Sequence, residues 1–212
     1  MKNKIIYLVL LTFAAVNSYA QVGKKEVKGN KEYDKYAYID AIETYERIVE
    51  KGYVDQNILE KLGNSYYFKS DLDNSAKWYG KLFDFSKDIA PEYYYRYAQS
   101  LNSTGDLDKA NRFLEEFSVK AKNDTRAKLY KNDSNYLDQI KANSGRYTIE
   151  NAGINSKYSD YGSFVYNNKI YFASARDTGN FTQRTHKWTG EYFTNIYSAY
   201  LDQHSGAVLK PD

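Results

Sequence analysis

Two hydrophobic rhythms divide this chain. Up to residue 144 apolar side chains recur at helical spacing and glycine is sparse. From residue 145 short apolar runs alternate with Gly, Asn, Asp and Ser, the pattern of strands and turns. The stretch Lys141-Ala-Asn-Ser-Gly145 is the expected boundary, because Asn and Gly close helices and open turns. The helical part repeats itself. Gly29, Gly63 and Ala98 stand 34 and 35 residues apart, and so do Ala41, Ser75 and Ala110, each twelve residues further on. Four residues later come Tyr45, Tyr79 and Leu114. Small, small, then large is what antiparallel helix pairs require: the small residues let two backbones approach and the large one fills the space between neighbouring hairpins. Turns fall at Asp34–Tyr38, Lys69–Asp73 and Ser103–Leu107, where Gly105 supplies a left-handed residue at low steric cost. Residues 125–141 form a further, capping helix, with Leu129, Tyr130, Tyr136, Leu137 and Ile140 on one side and Asp133 interrupting the stripe.

The strand-rich part predicts a strand at Tyr147–Asn151 and a hairpin of Ser163–Tyr166 and Lys169–Ala173 turning at Asn167-Asn168. A further strand is expected at Asn195–Leu201, followed by a turn from Asp202 to Gly206.

Composition adds three points. Charged residues make up 27% and hydrophobic residues 42%, which fits a folded soluble protein, and 24 tyrosines suit half-buried, wet packing. The formal charge of +3 includes Lys2 and Lys4, which lie in an N-terminal segment without acidic residues; the remainder is close to neutral and gives no electrostatic case for nucleic-acid binding. Residues 1–20 have the layout of a signal peptide: Lys2 and Lys4, then apolar Ile5 to Val16, then Ser18-Tyr19-Ala20 before Gln21. The alternative is a buried or anchoring helix. No cysteine follows, so a lipoprotein anchor is excluded. The expected organisation is a signal peptide at 1–20, a helical domain at 21–144 and a strand segment at 145–212.

The 34-residue period, with Leu62-Gly63, Tyr66, Leu72 and Tyr79 in one unit and Tyr97-Ala98, Leu101, Gly105-Asp106-Leu107 and Ala110 in the next, resembles the tetratricopeptide repeat. Gly29, Tyr38, Ala41 and Tyr45 form a weaker first unit, and Pro91 stands where the family places a proline before a repeat. Asn155–Gly162, Lys169–Ser174 and Asn195–Asp202 resemble the first blade of WD-like β-propellers. The order of repeats then propeller resembles outer-membrane-associated proteins of gliding and type IX secretion bacteria, which end in an OmpA-like peptidoglycan-binding domain. The fold class implied is α+β: an all-α tetratricopeptide-repeat solenoid followed by the first blade of a β-propeller. Closure of a propeller needs at least about four blades, so the resemblance implies a chain that continues past Asp212; the alternative is a strand segment that folds alone against the helices.

Candidate chemistry is sparse. There is no thiol, and His186 and His204 lack metal-ligand spacing. No nucleophile elbow, phosphate loop or zinc-protease helix is present. Glu115 and Glu116 are adjacent and so diverge on a helix. Asp160 with Gly162 lacks the ligand order of a calcium hand and reads as a turn. Neither a cofactor, a metal site nor a catalytic residue is expected. Arg176-Asp177 and Arg184-Thr-His-Lys-Trp188 form an aromatic and basic loop that either grips a partner or glycan, or serves as a blade loop with Trp188 packed on the blade's side. Asn-x-Ser/Thr triplets at Asn102, Asn123, Asn132 and Asn180 are chance composition.

In the resembled fold the first helix of each hairpin lines a concave groove. There Asn30, Asn64 and Gln99 would form a ladder of amides able to donate to and accept from an extended peptide backbone. Tyr33, Tyr67, Phe68 and Tyr95 would pack against its side chains. Glu26 and Glu60 occupy a position where carboxylate-clamping relatives carry Lys or Arg, which disfavours a clamp. The function expected is a non-catalytic protein–protein interaction scaffold, periplasmic and outer-membrane associated, with protein or peptide partners in the envelope and a link to peptidoglycan implied by resemblance alone. The alternatives are a stand-alone periplasmic peptide-binding adaptor or chaperone, and the amino-terminal portion of an enzyme with a propeller domain.

Overall fold

The computed structural model describes residues 23–132, 136–179, 184–202 and 204–209. The segment read as a signal peptide lies outside them. The protein is α+β, with eight helices and one three-stranded antiparallel sheet among the described residues. It divides into two compact units. One comprises residues up to 134 together with Lys187–Thr189; the other comprises 135–186 and 190–212.

The first unit is a stack of helical hairpins. Its helices are α1 (23–34), α2 (Tyr38–Val49), α3 (Gln56–Phe68), α4 (Leu72–Phe85), α5 (Pro91–Thr104), α6 (Leu107–Lys120) and α7 (Thr125–Asn132). Local signals set the ends. The side chains of Asp55, Asp71 and Asp106 accept from the backbone N–H of Ile58, Asn74 and Lys109, satisfying donors that a helix start leaves free. Pro91 opens α5, where its missing N–H costs nothing, and Gly105 closes it at φ +85°.

Packing explains the repeat. Ala41, Ser75 and Ala110 are fully buried, and so are Tyr45 and Tyr79. A methyl group built on Gly29 would lie 2.8 Å from Cε1 of Tyr45, and one on Gly63 would lie 2.5 Å from Cδ1 of Tyr79. Where the large residue is Leu114 instead, the facing position is Ala98. Each hairpin therefore keeps the same total volume with a different division of it. The core continues through Leu59, Leu62, Trp78, Leu82, Tyr97 and Phe117.

The final helix departs from expectation. The proposed stripe is broken into α7 and α8 (Tyr136–Ala142), and Leu129 and Ile140 are 62% and 60% exposed. Asp133 lies outside the described residues, and so do the side chains of Tyr136 and Leu137. The buried residue of α7 is the small Ala127, which joins the hydrophobic core, and beside it Arg126 lies on the rings of Tyr95 and Phe117. A guanidinium lying flat on aromatic faces takes the place of an apolar stripe.

The second unit holds α8 and the sheet β1 (Asp160–Tyr166), β2 (Lys169–Ser174) and β3 (Asn195–Tyr200), in that spatial order. The β1–β2 hairpin turns at Asn167 and Asn168 with φ of +46° and +58°, the left-handed pair a two-residue turn demands. A bulge lies between Tyr161 and Phe164, where Gly162 has φ +65°. Tyr147–Asn151, expected as a strand, is irregular, and Ile149 is 92% exposed. Period-two patterning needs a neighbouring strand to become a ladder, and none pairs with it among the described residues.

One face of the sheet is organised by an ion pair. Asp160 accepts from the Arg176 guanidinium (3.0 Å), from the Ser156 hydroxyl (3.0 Å) and from the Ser156 backbone N–H. Arg176 also lies on the rings of Phe172 and Tyr197, which stack on each other. Burial alone would raise the Asp160 carboxyl, but hydrogen bonds from Ser174, Ser156 and Arg176 hold it well below the usual carboxylate range. Its stabilising effect is therefore complete above the unfolded value of about 4 and is lost progressively as pH falls below it. Asp160→Ala should weaken the sheet by about 2 kcal/mol, since it leaves a partly buried guanidinium and a backbone N–H short of an acceptor. In hydrogen exchange on the full chain, the amides of Ile170–Ala173 should lose protection while those of α3 and α4 keep theirs. Unaltered strand protection would refute the assignment.

Candidate functional site

Polar contacts between successive hairpins define one continuous face. Asn57 of α3 donates to Glu26 of α1 (3.1 Å), Lys61 to Asn30 (2.5 Å), and Asn64 to the Tyr33 hydroxyl (3.0 Å). From α5, Tyr93 donates to Glu60 (3.0 Å) and Arg96 to Asn64 (2.6 Å). From α7, Arg126 donates to Glu92 (2.7 Å). Every one of these pairs is 31 to 34 residues apart. The first helices of the hairpins thus lie side by side, each joined to the next at the same height.

All seven candidate residues lie on these first helices, in two different states. Asn30 is half-buried, and its Oδ1 accepts from the Tyr45 hydroxyl (2.7 Å) as well as from Lys61. Asn64 is buried, and its Oδ1 accepts from the Tyr79 hydroxyl (2.7 Å) as well as from Arg96. An amide oxygen has two acceptor sites, so both are filled from within. Gln99 differs because Leu114 stands where Tyr45 and Tyr79 stand in the earlier hairpins. It is half-buried, and its side-chain amide makes no hydrogen bond among the described residues. The aromatic candidates are half-buried and pair with cations: Lys61 lies over Tyr33 (5.4 Å), Arg96 over Tyr67 (5.7 Å) and Phe68 (4.8 Å), and Arg126 over Tyr95 (4.3 Å).

Lys61, Arg96 and Arg126 were not singled out by the sequence. The signal available was the 35-residue spacing of Lys61 and Arg96, each three residues before a ladder amide. Arg96 and Arg126 are matched in place by Glu92 and Asp124, while Lys61 meets the neutral Asn30 amide. Burial favours a neutral Glu92, but Arg126 and Arg96 outweigh it and hold the carboxyl below its ordinary value. Arg126 is held above its ordinary value by its hydrogen bonds to Asp124 and Glu92. Such a face offers amide, hydroxyl and aromatic contacts, together with the charges of Lys61, Glu26 and Glu60, which are met by neutral partners.

The aromatic and basic loop gives the second correction. Trp188 belongs to the helical unit. It stacks on Tyr36 (5.8 Å between centroids), meets Tyr38 edge-on (5.1 Å) and donates its indole N–H to the Phe68 carbonyl (2.7 Å). Arg176, from the same expected loop, is held by Asp160 in the other unit.

No group of three or more His, Asp or Glu converges as a metal site among the described residues, and none of their helices is long and apolar enough to cross a membrane. The fold and the face define the coarse class: an α+β protein whose helical unit is a solenoid-like stack of hairpins. Comparison with known proteins places it in no family, since no family model matches the chain and no curated protein matches it.

Proposed function

We infer that the chain is a non-catalytic scaffold whose tetratricopeptide-type helical unit binds an extended segment of a partner protein. The observation that carries this reading is the face of α1, α3 and α5, where half-buried Tyr67 and Tyr95 flank Gln99, an amide with both donor and acceptor capacity left over. Asn30 and Asn64 act as the braces of that face, joining one hairpin to the next, while Gln99 makes the contact. The sheet is read as the first blade of a WD-like propeller supplying a second docking surface. The envelope setting, periplasmic and at the outer membrane, rests on residues 1–20 and on the order of the two parts.

Selection of the full chain against a random peptide library tests this. Enriched peptides should bind Gln99→Ala and Tyr67→Ala about tenfold more weakly; Gln99→Ala should keep a melting temperature close to native, since Gln99 is outside the core, whereas Tyr67 packs against the core and its truncation should lower it. Peptides bound equally well by both variants, or a library that yields none, would remove the groove reading.

A further inference from the structure

The turn of the first hairpin departs from the other two at every position from Tyr36 to Asp40, and these departures gather at one place. Where the later turns carry Ser70 and Gly105 in left-handed backbone (φ +66° and +85°), the first carries Tyr36 at φ +58°. A bulky aromatic residue rarely adopts this conformation; here the helix-closing bonds of the Tyr36 and Ala37 N–H groups to the Tyr33 and Glu32 carbonyls fix it, as their counterparts do in the later turns, and leave the Tyr36 ring outside. Where Asp71 and Asp106 cap the second helix, the first hairpin has Ala37, which cannot. Leu72 and Leu107 are answered by Tyr38, and Asn74 and Lys109 by Asp40.

Lys187-Trp188 uses each departure. Trp188 stacks on Tyr36 and meets Tyr38 edge-on. The Lys187 carbonyl accepts from the Ile39 N–H (3.1 Å), one of the donors at the start of α2 that Ala37 leaves unsatisfied. The Lys187 ammonium pairs with Asp40. The indole N–H reaches the Phe68 carbonyl at the end of α3, which the helix itself leaves free. The seat thus reads a side chain, a main-chain carbonyl and a charge on two consecutive residues. That is the recognition expected of a peptide site, where a core contact would need only burial. The rim of the contact is open, with Tyr36 61% exposed and the Lys187 side chain 70%, while Trp188 is half-buried against the buried Tyr38.

We propose that this corner of the first hairpin is a binding site for a partner's polypeptide segment carrying a basic residue followed by tryptophan, and that Lys187-Trp188 is an exchangeable internal occupant of it. The site is separate from the α1–α3–α5 face and stands or falls independently of Gln99 and Tyr67. A tethered occupant competes at an effective concentration of the order of millimolar, so an external peptide binds appreciably only when the internal one is removed or outcompeted.

The probe is a fluorescently labelled synthetic peptide of residues 184–191, titrated by anisotropy into the full chain. Trp188→Ala should bind it at least tenfold more tightly than the native chain. Adding Asp40→Lys to that variant should abolish the gain, while adding Gln99→Ala should leave it unchanged. A peptide in which alanine replaces its tryptophan should bind neither chain. Equal binding to native and Trp188→Ala chains, absence of binding to both, or a gain indifferent to Asp40→Lys overturns the proposal. So does a Trp188→Ala chain that fails to fold by circular dichroism, because Lys187-Trp188 would then be a structural part of the core.

Discussion

Gly63→Ala should destabilise the helical array by about 2–3 kcal/mol, although the same change in an ordinary helix interior stabilises by about 1 kcal/mol. The sign reverses because the added methyl has no room. It would sit 2.5 Å from Cδ1 of Tyr79 and closer still to Cε1, and Tyr79 is fully buried with its hydroxyl bonded to Asn64. The ring can neither turn away nor retreat without breaking that bond. Thermal unfolding should fall by roughly 10 °C for an array of this size. The third hairpin shows the remedy, since Ala98 faces Leu114 there and both are buried. The double variant Gly63→Ala/Tyr79→Leu rebuilds that pair in the second hairpin. Its destabilisation should fall short of the sum of the two single changes by at least about 1 kcal/mol. Arg96 continues to supply the Asn64 oxygen with a donor in the absence of the Tyr79 hydroxyl. Strict additivity of the two changes would contradict the volume-sharing account of the repeat.

Alkali should unfold the helical array cooperatively. Burial raises the hydroxyl pKa of Tyr38 and Tyr93 to about 12, with neighbouring tyrosines adding to it for Tyr38 and Glu60 for Tyr93. Burial likewise raises Tyr33, Tyr45, Tyr66, Tyr67 and Tyr79. A group whose folded pKa lies above its unfolded value, about 10 for tyrosine, stabilises the fold fully below that value. The contribution is lost as pH climbs towards the folded value. With seven such groups in one unit the losses accumulate between about pH 10 and 12. In a pH titration, helical circular dichroism should collapse in this window, and part of the tyrosinate absorbance near 295 nm should rise in step with it. Helix that persists through pH 12 while all the tyrosines ionise would show that these hydroxyls are not held by the fold.

Both predictions concern features that are half visible in the sequence. The 34-residue recurrence of small and large positions sets which residues meet within and between neighbouring hairpins, because helical pitch and hairpin length are local properties. Gly63 against Tyr79 follows from that register. The Gly105 stop and the two-residue turn at Asn167-Asn168 are legible too, because each depends on one or two adjacent residues. The seven candidate residues lie together on the first helices for the same reason.

What each candidate does there was decided by the tertiary structure. Asn64 and Gln99 occupy equivalent positions, yet one is filled from within by Tyr79 and Arg96 and the other is not, a difference that depends on residues 15 and 32 places away. Tyr147–Asn151 carries a strand's alternation but lacks a pairing strand among the described residues, and alternation alone supplies no hydrogen bonds. The stripe on the last helix lost its place to Arg126, whose guanidinium satisfies two acids and covers two rings at once. Farthest from anything legible is Trp188, whose indole donor meets its acceptor 120 residues earlier in the chain. Periodicity records what neighbouring turns of helix must share. A contact across 120 residues depends on where the whole chain folds back, and only the assembled structure settles that.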